Sequence, residues 1–335
     1  MAFRDIAGHR RLLTLLSRAI QRQSLMPSLI LSGPEGVGKR LTAISIAQEL
    51  NCLNRRSAID DDGACGTCAV CSRIMRGAHP DVMTIEPGEN GSIKIEQVRA
   101  AIESAVYRPF EGRRRVTIVE QADALVDAAQ NALLKTLEEP LPASVFVLVT
   151  SRPDTLLPTV RSRCAHLRFG RLQLAEVASV LERSHAYSHT DALTAAAASD
   201  GSVRRALDLE ADAFTDARSD AENLLQVAGR DPRTRLEHAK DLLKGGGTPA
   251  AEREHLGARL MAMAALVRDA GLAASGADAR LLANLDRRPI VDSLARELGV
   301  DRIGRIFTAV TRAEEALDRN VSPKVIADWL AINVH

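Results

Sequence analysis

"GPEGVGKR" (residues 33–40) is the stretch that decides the fold. It follows the apolar run "SLIL" (28–31) and leads into "LTAISIAQEL" (41–50), so a strand, a glycine loop and a helix are expected in that order. That is the setting of a P-loop, and Gly33, Gly38 and Lys39 stand at the spacing G-x-x-x-x-G-K, with Gly36 between them. Backbone N–H groups of such a turn, with the helix N-terminus, cradle phosphates. The Lys reaches the outer phosphates and the following Ser or Thr holds Mg²⁺. Here position 40 is Arg, which cannot ligate a cation and sets positive charge beside the metal position.

The other half of such a site is an Asp-Glu pair ending a buried strand, the first residue for the metal and the second for the attacking water. "RVTIVEQADAL" (115–125) supplies the strand, but the pair reads Glu120-Gln121. Glu120 is one methylene longer than Asp and can still reach a metal. Gln121 cannot act as a base, because a neutral amide does not accept a proton usefully near neutral pH. Two independent departures, one at the metal and one at the base, point to lost hydrolysis. The cradle and Lys39 remain compatible with ADP or ATP held weakly without Mg²⁺, the Arg40 charge standing in for the cation. The motif leaves occupancy open.

Outward from the loop, "DVMTIEP" (81–87), "RVTIVEQ" (115–121) and "SVFVLVTS" (144–151) are further β-rich runs, separated by helical stretches over 41–52, 95–106 and 125–138. Strands alternating with helices predict a parallel α/β sheet with its ligand edge at the strand C-termini. An amphipathic helix is expected ahead of it over 9–23. After Phe169 the β signal ends. Residues 174–184, 190–198 and 202–209 read as short helices, and from about 216 the chain is Ala/Leu-rich helix broken by Gly245–Gly247, Pro249, Pro289 and Pro323. Ser322 stands where it can cap the last helix, with Pro323 at the first helical position.

At 335 residues the chain has room for two or three domains, and 46% hydrophobic with 26% charged residues describes a protein with a sizeable core. A net charge of +1 provides no global field toward nucleic acid or membrane, and 3% aromatic residues are few for stacking bases. No apolar run approaches the ~20 residues that span a bilayer. The N-terminus carries no apolar signal segment, so a cytoplasmic location is expected. In that reducing setting the five cysteines are not expected to form disulfides.

Four of them, Cys52, Cys65, Cys68 and Cys71, form C-x12-C-x2-C-x2-C. Thiolates so spaced favour a four-ligand tetrahedral Zn²⁺ site, over an iron–sulfur cluster or four incidental thiols. Four protein ligands leave no open position, so the expected role is structural. Further on, "TSRPDTLLPTVRSRC" (150–164) sets Thr150 at the end of a strand, where it can face the phosphate site. Arg163 follows a short turn after Pro158. An Arg fork suits transferred phosphoryl charge and can be offered in trans; a plain surface arginine fits the bare sequence equally well. The run "GRRR" (112–115) reads as a solvated loop ahead of a strand rather than a phosphate-backbone contact.

Taken in order, "FRDIAGHRRLLTLLSRAI", the P-loop, the four-cysteine insert, "NALLKTLEEP" (131–140), "LLPTVRSRC" (156–164) and "DGSVRRAL" (200–207) resemble the AAA+ clamp-loader subunits of bacterial DNA polymerase III. The motifs cover about residues 3 to 207, and "RNVSPKVIADWL" is similar to the last collar helix. Two subunit types share this pattern, the gamma/tau motor and delta-prime. Lys39-Arg40 and Glu120-Gln121 resemble delta-prime, whose nucleotide site is commonly degenerate; an active gamma/tau-like ATPase is the alternative, and a free-standing zinc-containing nucleic-acid-binding protein a third reading.

The resemblance implies an AAA+ α/β domain over 1–170 with a zinc insert at about 52–80, a small helical lid over 171–213 and a helical collar over 214–335. It implies a hetero-pentamer with gamma/tau and delta subunits that acts with the sliding clamp and primer-template DNA, and no membrane. This chain, not itself an active ATPase, would belong to a DNA-directed DNA polymerase holoenzyme. By motif, Arg163 would be an arginine finger for the neighbouring ATPase, framed by Ser162 and Cys164. Thr150 and Arg204 match the two sensor positions, and Glu138 and Glu139 would lie near a subunit interface.

Overall fold

A computed structural model describes residues 3–334 apart from 56–62, 140, 142, 209–210, 245–247, 279–281, 283, 285–286 and 320. The glycine run at 245–247 and most of the polar loop between Cys52 and Cys65 therefore lie outside the described residues. The chain divides into two units, Met1–Gln173 and Leu174–His335.

The first unit is a five-stranded parallel sheet in the order β2-β3-β4-β1-β5, with β1 Ser28–Ser32, β2 Val82–Ile85, β3 Arg115–Val119, β4 Ser144–Thr150 and β5 Ala165–Arg168. Every residue of β1 and β4 is buried, the pattern of parallel strands covered on both faces. Helices α1 Arg10–Gln21, α2 Lys39–Asn51, α3 Ala69–Met75, α4 Ile95–Val106, α5 Asp127–Glu138 and α6 Pro158–Arg161 complete it. One core gathers Ile30, Val119 and Leu148 of the sheet with Val98 of α4 and Leu133 of α5.

β5 is a strand the sequence did not announce. "AHLR" has no β-branched residue, and none of its residues is fully buried. It forms because it lies along the open side of β1, Leu29 opposite Ala165 and Ser32 opposite Arg168, with Ser32 Oγ and His166 Nε2 at 2.6 Å.

Two buried polar side chains fix the loop that enters β3. Asp81 accepts backbone N–H bonds from Phe110 (2.7 Å), Glu111 (3.0 Å) and Gly112 (2.8 Å), and pairs with Arg115 at 3.2 Å. Asn51, at the end of α2, accepts from the N–H groups of Arg113 and Arg114. The basic run is thus a tethered loop, with Arg115 turned inward onto Asp81 and Ser104.

The second unit is helical: α7 Leu174–His185, α8 His189–Ala198, α9 Val203–Asp208, α10 Ala211–Gln226, α11 Pro232–Ala239, α12 Pro249–Ala274, α13 Arg288–Asp318 and α14 Pro323–Asn333. α13 breaks at Gly299, whose φ of 68° leaves the helical region. Leu224, Leu260, Met263, Leu266, Ile306 and Leu330 join α10, α12, α13 and α14 in one core. Ser322 holds the cap position of α14, but its hydroxyl makes no capping bond; Pro323 does occupy the first turn. No described helix is long and apolar enough to cross a membrane.

Burial alone would push the Asp81 carboxyl up, but its three N–H donors and Arg115 outweigh that and hold it below the usual carboxylate range. A depressed native value gives stability that is present above the unfolded carboxylate range, near pH ~4, and lost as pH falls through the native value. Asp81→Asn is expected to lower unfolding free energy by about 2 kcal/mol at pH 7. Chemical denaturation should show that deficit, and show it shrinking as pH drops below ~4.

Candidate nucleotide and metal sites

The glycine loop sits at the C-terminal end of β1, where a parallel sheet presents ligands. Gly33, Gly36 and Gly38 have φ of 143°, 71° and 97°. At Gly33 the requirement is also spatial, since an added Cβ would lie 2.2 Å from the backbone oxygen of Phe169. The chain leaving β5 passes there because Phe169 N–H donates to Ser32 O at 2.7 Å.

Lys39 opens α2 and is 6% exposed. Its ammonium folds back over the loop, donating to the carbonyl oxygens of Gly33 (2.6 Å) and Pro34 (2.5 Å). Burial lowers its pKa, while the charges of Glu35 and Asp123 work against that shift.

Arg40 and Glu120, the two departures at the metal positions, are joined. Its Nε donates to Glu120 Oε1 at 2.5 Å, and one Nη reaches Glu86 Oε1 at 3.4 Å. The guanidinium therefore stands between two strand-end carboxylates where a P-loop site would hold its metal. These residues do not fit a divalent ion at that step: the hydroxyl ligand is gone and the carboxylate is already paired. Burial raises the Glu120 pKa and Arg40 opposes the rise. Gln121 takes a left-handed conformation, φ 48°, as the chain turns out of β3.

Thr150 ends β4 fully buried, donating to Asp123 Oδ1 at 2.8 Å and accepting from the Arg152 N–H. Asp123 in turn pairs with Arg152 at 3.1 Å. Glu86 and Asp123 were not singled out from the sequence. Their signal was position, just beyond the C-terminal ends of β2 and β3. Arg204 belongs to the second unit, on α9, where it pairs with Asp208 one turn on.

Arg163 follows α6. It forms an ion pair with Glu138 at the end of α5 and donates to the carbonyl oxygen of Thr159 at 2.9 Å and to Ser162 Oγ at 3.4 Å. A third of its side chain is exposed. Cys164 packs against the core, and burial pushes its thiol up to about 12. Glu139 caps α5 and is exposed.

The four cysteines converge. Their Sγ atoms all lie within 4.8 Å of one another, and Cys52 Sγ to Cys65 Sγ is 3.6 Å. Metal–sulfur bonds of ~2.3 Å in a tetrahedron require edges of about 3.8 Å, so the cluster could hold a metal ion. Backbone N–H groups of Cys65, Cys68 and Cys71 point at the sulfurs of Cys52, Cys65 and Cys68. Burial works to raise the Cys65 thiol, but N–H donors from Cys68 and Thr67 bring it down to about 6. Burial raises Cys71.

Residues 8–173 match the family described as DNA polymerase III, delta subunit. The chain is 41% identical over 136 residues to DNA polymerase III subunit delta' of Pseudomonas aeruginosa, 40% of each chain. It is 34% identical over 166 residues to subunit gamma of Buchnera aphidicola subsp. Acyrthosiphon pisum, 50% of this chain and 44% of that protein. It is 33% identical over 213 residues to subunit tau of Salmonella typhimurium, 62% of this chain and 32% of that protein. The chain thus spans less than half the length of these curated relatives. A solved gamma subunit-related protein from Thermotoga maritima aligns over 96% of this chain and 98% of its own at 19% identity and a TM-score of 0.40, which adds nothing to the sequence match.

Gly33→Ala combines a positive φ with the contact at Phe169. It is expected to cost about 2 kcal/mol or more, read as a lower thermal midpoint.

Proposed function

Residues 8–173 belong to the clamp-loader family of DNA polymerase III, and from that premise we propose that this chain is a delta-prime-like, non-hydrolysing subunit of a clamp loader. It supplies Arg163 to the ATP site of a neighbouring gamma/tau-type subunit while the sliding clamp is loaded on primer-template DNA. The observation that carries this reading is the ion pair of Arg40 with Glu120: the two residue positions that would bring a metal to a nucleotide here bind each other, and the base position holds the neutral amide of Gln121. Arg163 meanwhile is partly exposed on a short turn, where a neighbour's phosphates can be reached. Glu138 holds it until then and must release it on assembly. By motif, Thr150 and Arg204 would be the sensor residues, without turnover at this loop.

Residues 171–213 would serve as lid and 214–335 as collar, joining delta and gamma/tau subunits in a hetero-pentamer. An apolar stripe supports the collar reading. Val325, Trp329 and Ile332 recur at helical spacing on α14 and are 58%, 37% and 52% exposed, opposite the face that packs on the core. Cys52, Cys65, Cys68 and Cys71 would hold a structural Zn²⁺, four thiolates with no open position.

A gamma/tau-like active ATPase is the second reading, favoured by gamma and tau relatives that are 34% and 33% identical. The two separate in a loader reconstituted from this chain with gamma-type and delta subunits. Arg163→Ala is expected to slow DNA- and clamp-stimulated ATP hydrolysis at least ~10-fold, given the 10³–10⁵ that an arginine finger contributes elsewhere. An unchanged rate contradicts the proposal, and hydrolysis by the purified chain alone selects the rival. Trp329→Glu is expected to abolish co-elution with the other subunits and leave the chain folded. Metal analysis should return one zinc per chain, and Cys71→Ser should lose it.

A further inference from the structure

We propose that Arg40 stands in the place of the magnesium ion, so that the glycine loop binds a nucleoside di- or triphosphate without any divalent cation. This goes beyond the role assigned to Arg163 and does not depend on it.

The argument starts from a coincidence. Of the three residues that depart from the P-loop pattern, the two at the metal positions, Arg40 and Glu120, stand 80 positions apart and touch each other. In a magnesium site the metal bridges a strand-end carboxylate on one side and phosphate oxygens on the other. Arg40 has the same two-sided character. Its Nε edge is held by Glu120, and one Nη lies toward Glu86 at 3.4 Å. The other Nη has no hydrogen-bond partner among the described residues. The side chain stays 61% exposed beside the loop.

A guanidinium is a fork of five donors, and such a fork can hold a carboxylate with one edge and a phosphate with another. The longer Glu120 suits that arrangement, and a Ser or Thr at 40 would leave Glu120 without its cation. The rest of the cradle remains: positive-φ glycines at 33, 36 and 38, the α2 N-terminus, and Lys39 beneath them. Lys39 exchanges the carbonyl oxygens of Gly33 and Pro34 for phosphate when the ligand enters. With Gln121 in the base position and no metal, the ligand is held and not hydrolysed.

The test is titration of the purified full chain with ADP and with ATP, once in excess EDTA and once in MgCl₂. Saturable binding is expected in EDTA, with a Kd that magnesium leaves unchanged or weakens. Arg40→Ala, which removes an exposed side chain and is checked for folding by circular dichroism, is expected to weaken binding in EDTA at least 10-fold. Lys39→Ala is expected to do the same. The double variant Arg40→Thr, Glu120→Asp restores the metal ligands and is expected to bind only with magnesium present. Binding by the unaltered chain that requires magnesium overturns the proposal. So does the absence of saturable binding of either nucleotide in both buffers, or an Arg40→Ala chain that binds as well as the original.

Discussion

Helix α2 is the constraint on which both candidate sites depend. It starts at Lys39 in the glycine loop and stops at Asn51, with Cys52 as the residue that closes it. Thirteen residues make a rod of about 20 Å. One end fixes Lys39 and Arg40 at the ligand edge of the sheet. The other fixes the first cysteine of the cluster, and Asn51 there pins the loop entering β3. Gln48 ties the same helix to the carbonyl oxygen of Cys71. A metal at the cysteines would therefore stiffen the far end of the helix that carries the phosphate loop.

At the near end, charge decides what the loop can do. A working P-loop presents unsatisfied positive charge to phosphate and a carboxylate to metal. In this chain Arg40 and Glu120 satisfy each other, and Lys39 is bound by its own loop. The site is a rearranged one, its charges redistributed among side chains. Arg163 lies on a separate turn, just after α6.

The P-loop was legible because it needs only local spacing: an apolar run, glycines with positive φ, and a helix. The cysteine cluster was legible for a similar reason, three of its four members lying within seven residues. What stayed hidden depends on partners distant in sequence. "AHLR" becomes β5 only because β1 offers an open side. Asp81 and Asn51 look like ordinary polar residues until the loop at 110–114 closes on them. The departures at Arg40 and Glu120, like that at Gln121, could be read in the sequence as separate changes. That Arg40 and Glu120 form one ion pair required the sheet, since β1 and β3 are separated in it by β4. Ser322 shows the opposite error, a residue of the right type at the right place whose hydroxyl makes no cap bond.

The central claim is that Arg40 has taken over the metal's place. A crystal structure of the chain grown with ADP and excess MgCl₂ tests it most directly. The account predicts the Arg40 guanidinium lying between Glu120 and the phosphates, with no ion coordinated there. A magnesium ion bound to Glu120 and the phosphates, with Arg40 swung away, would contradict it.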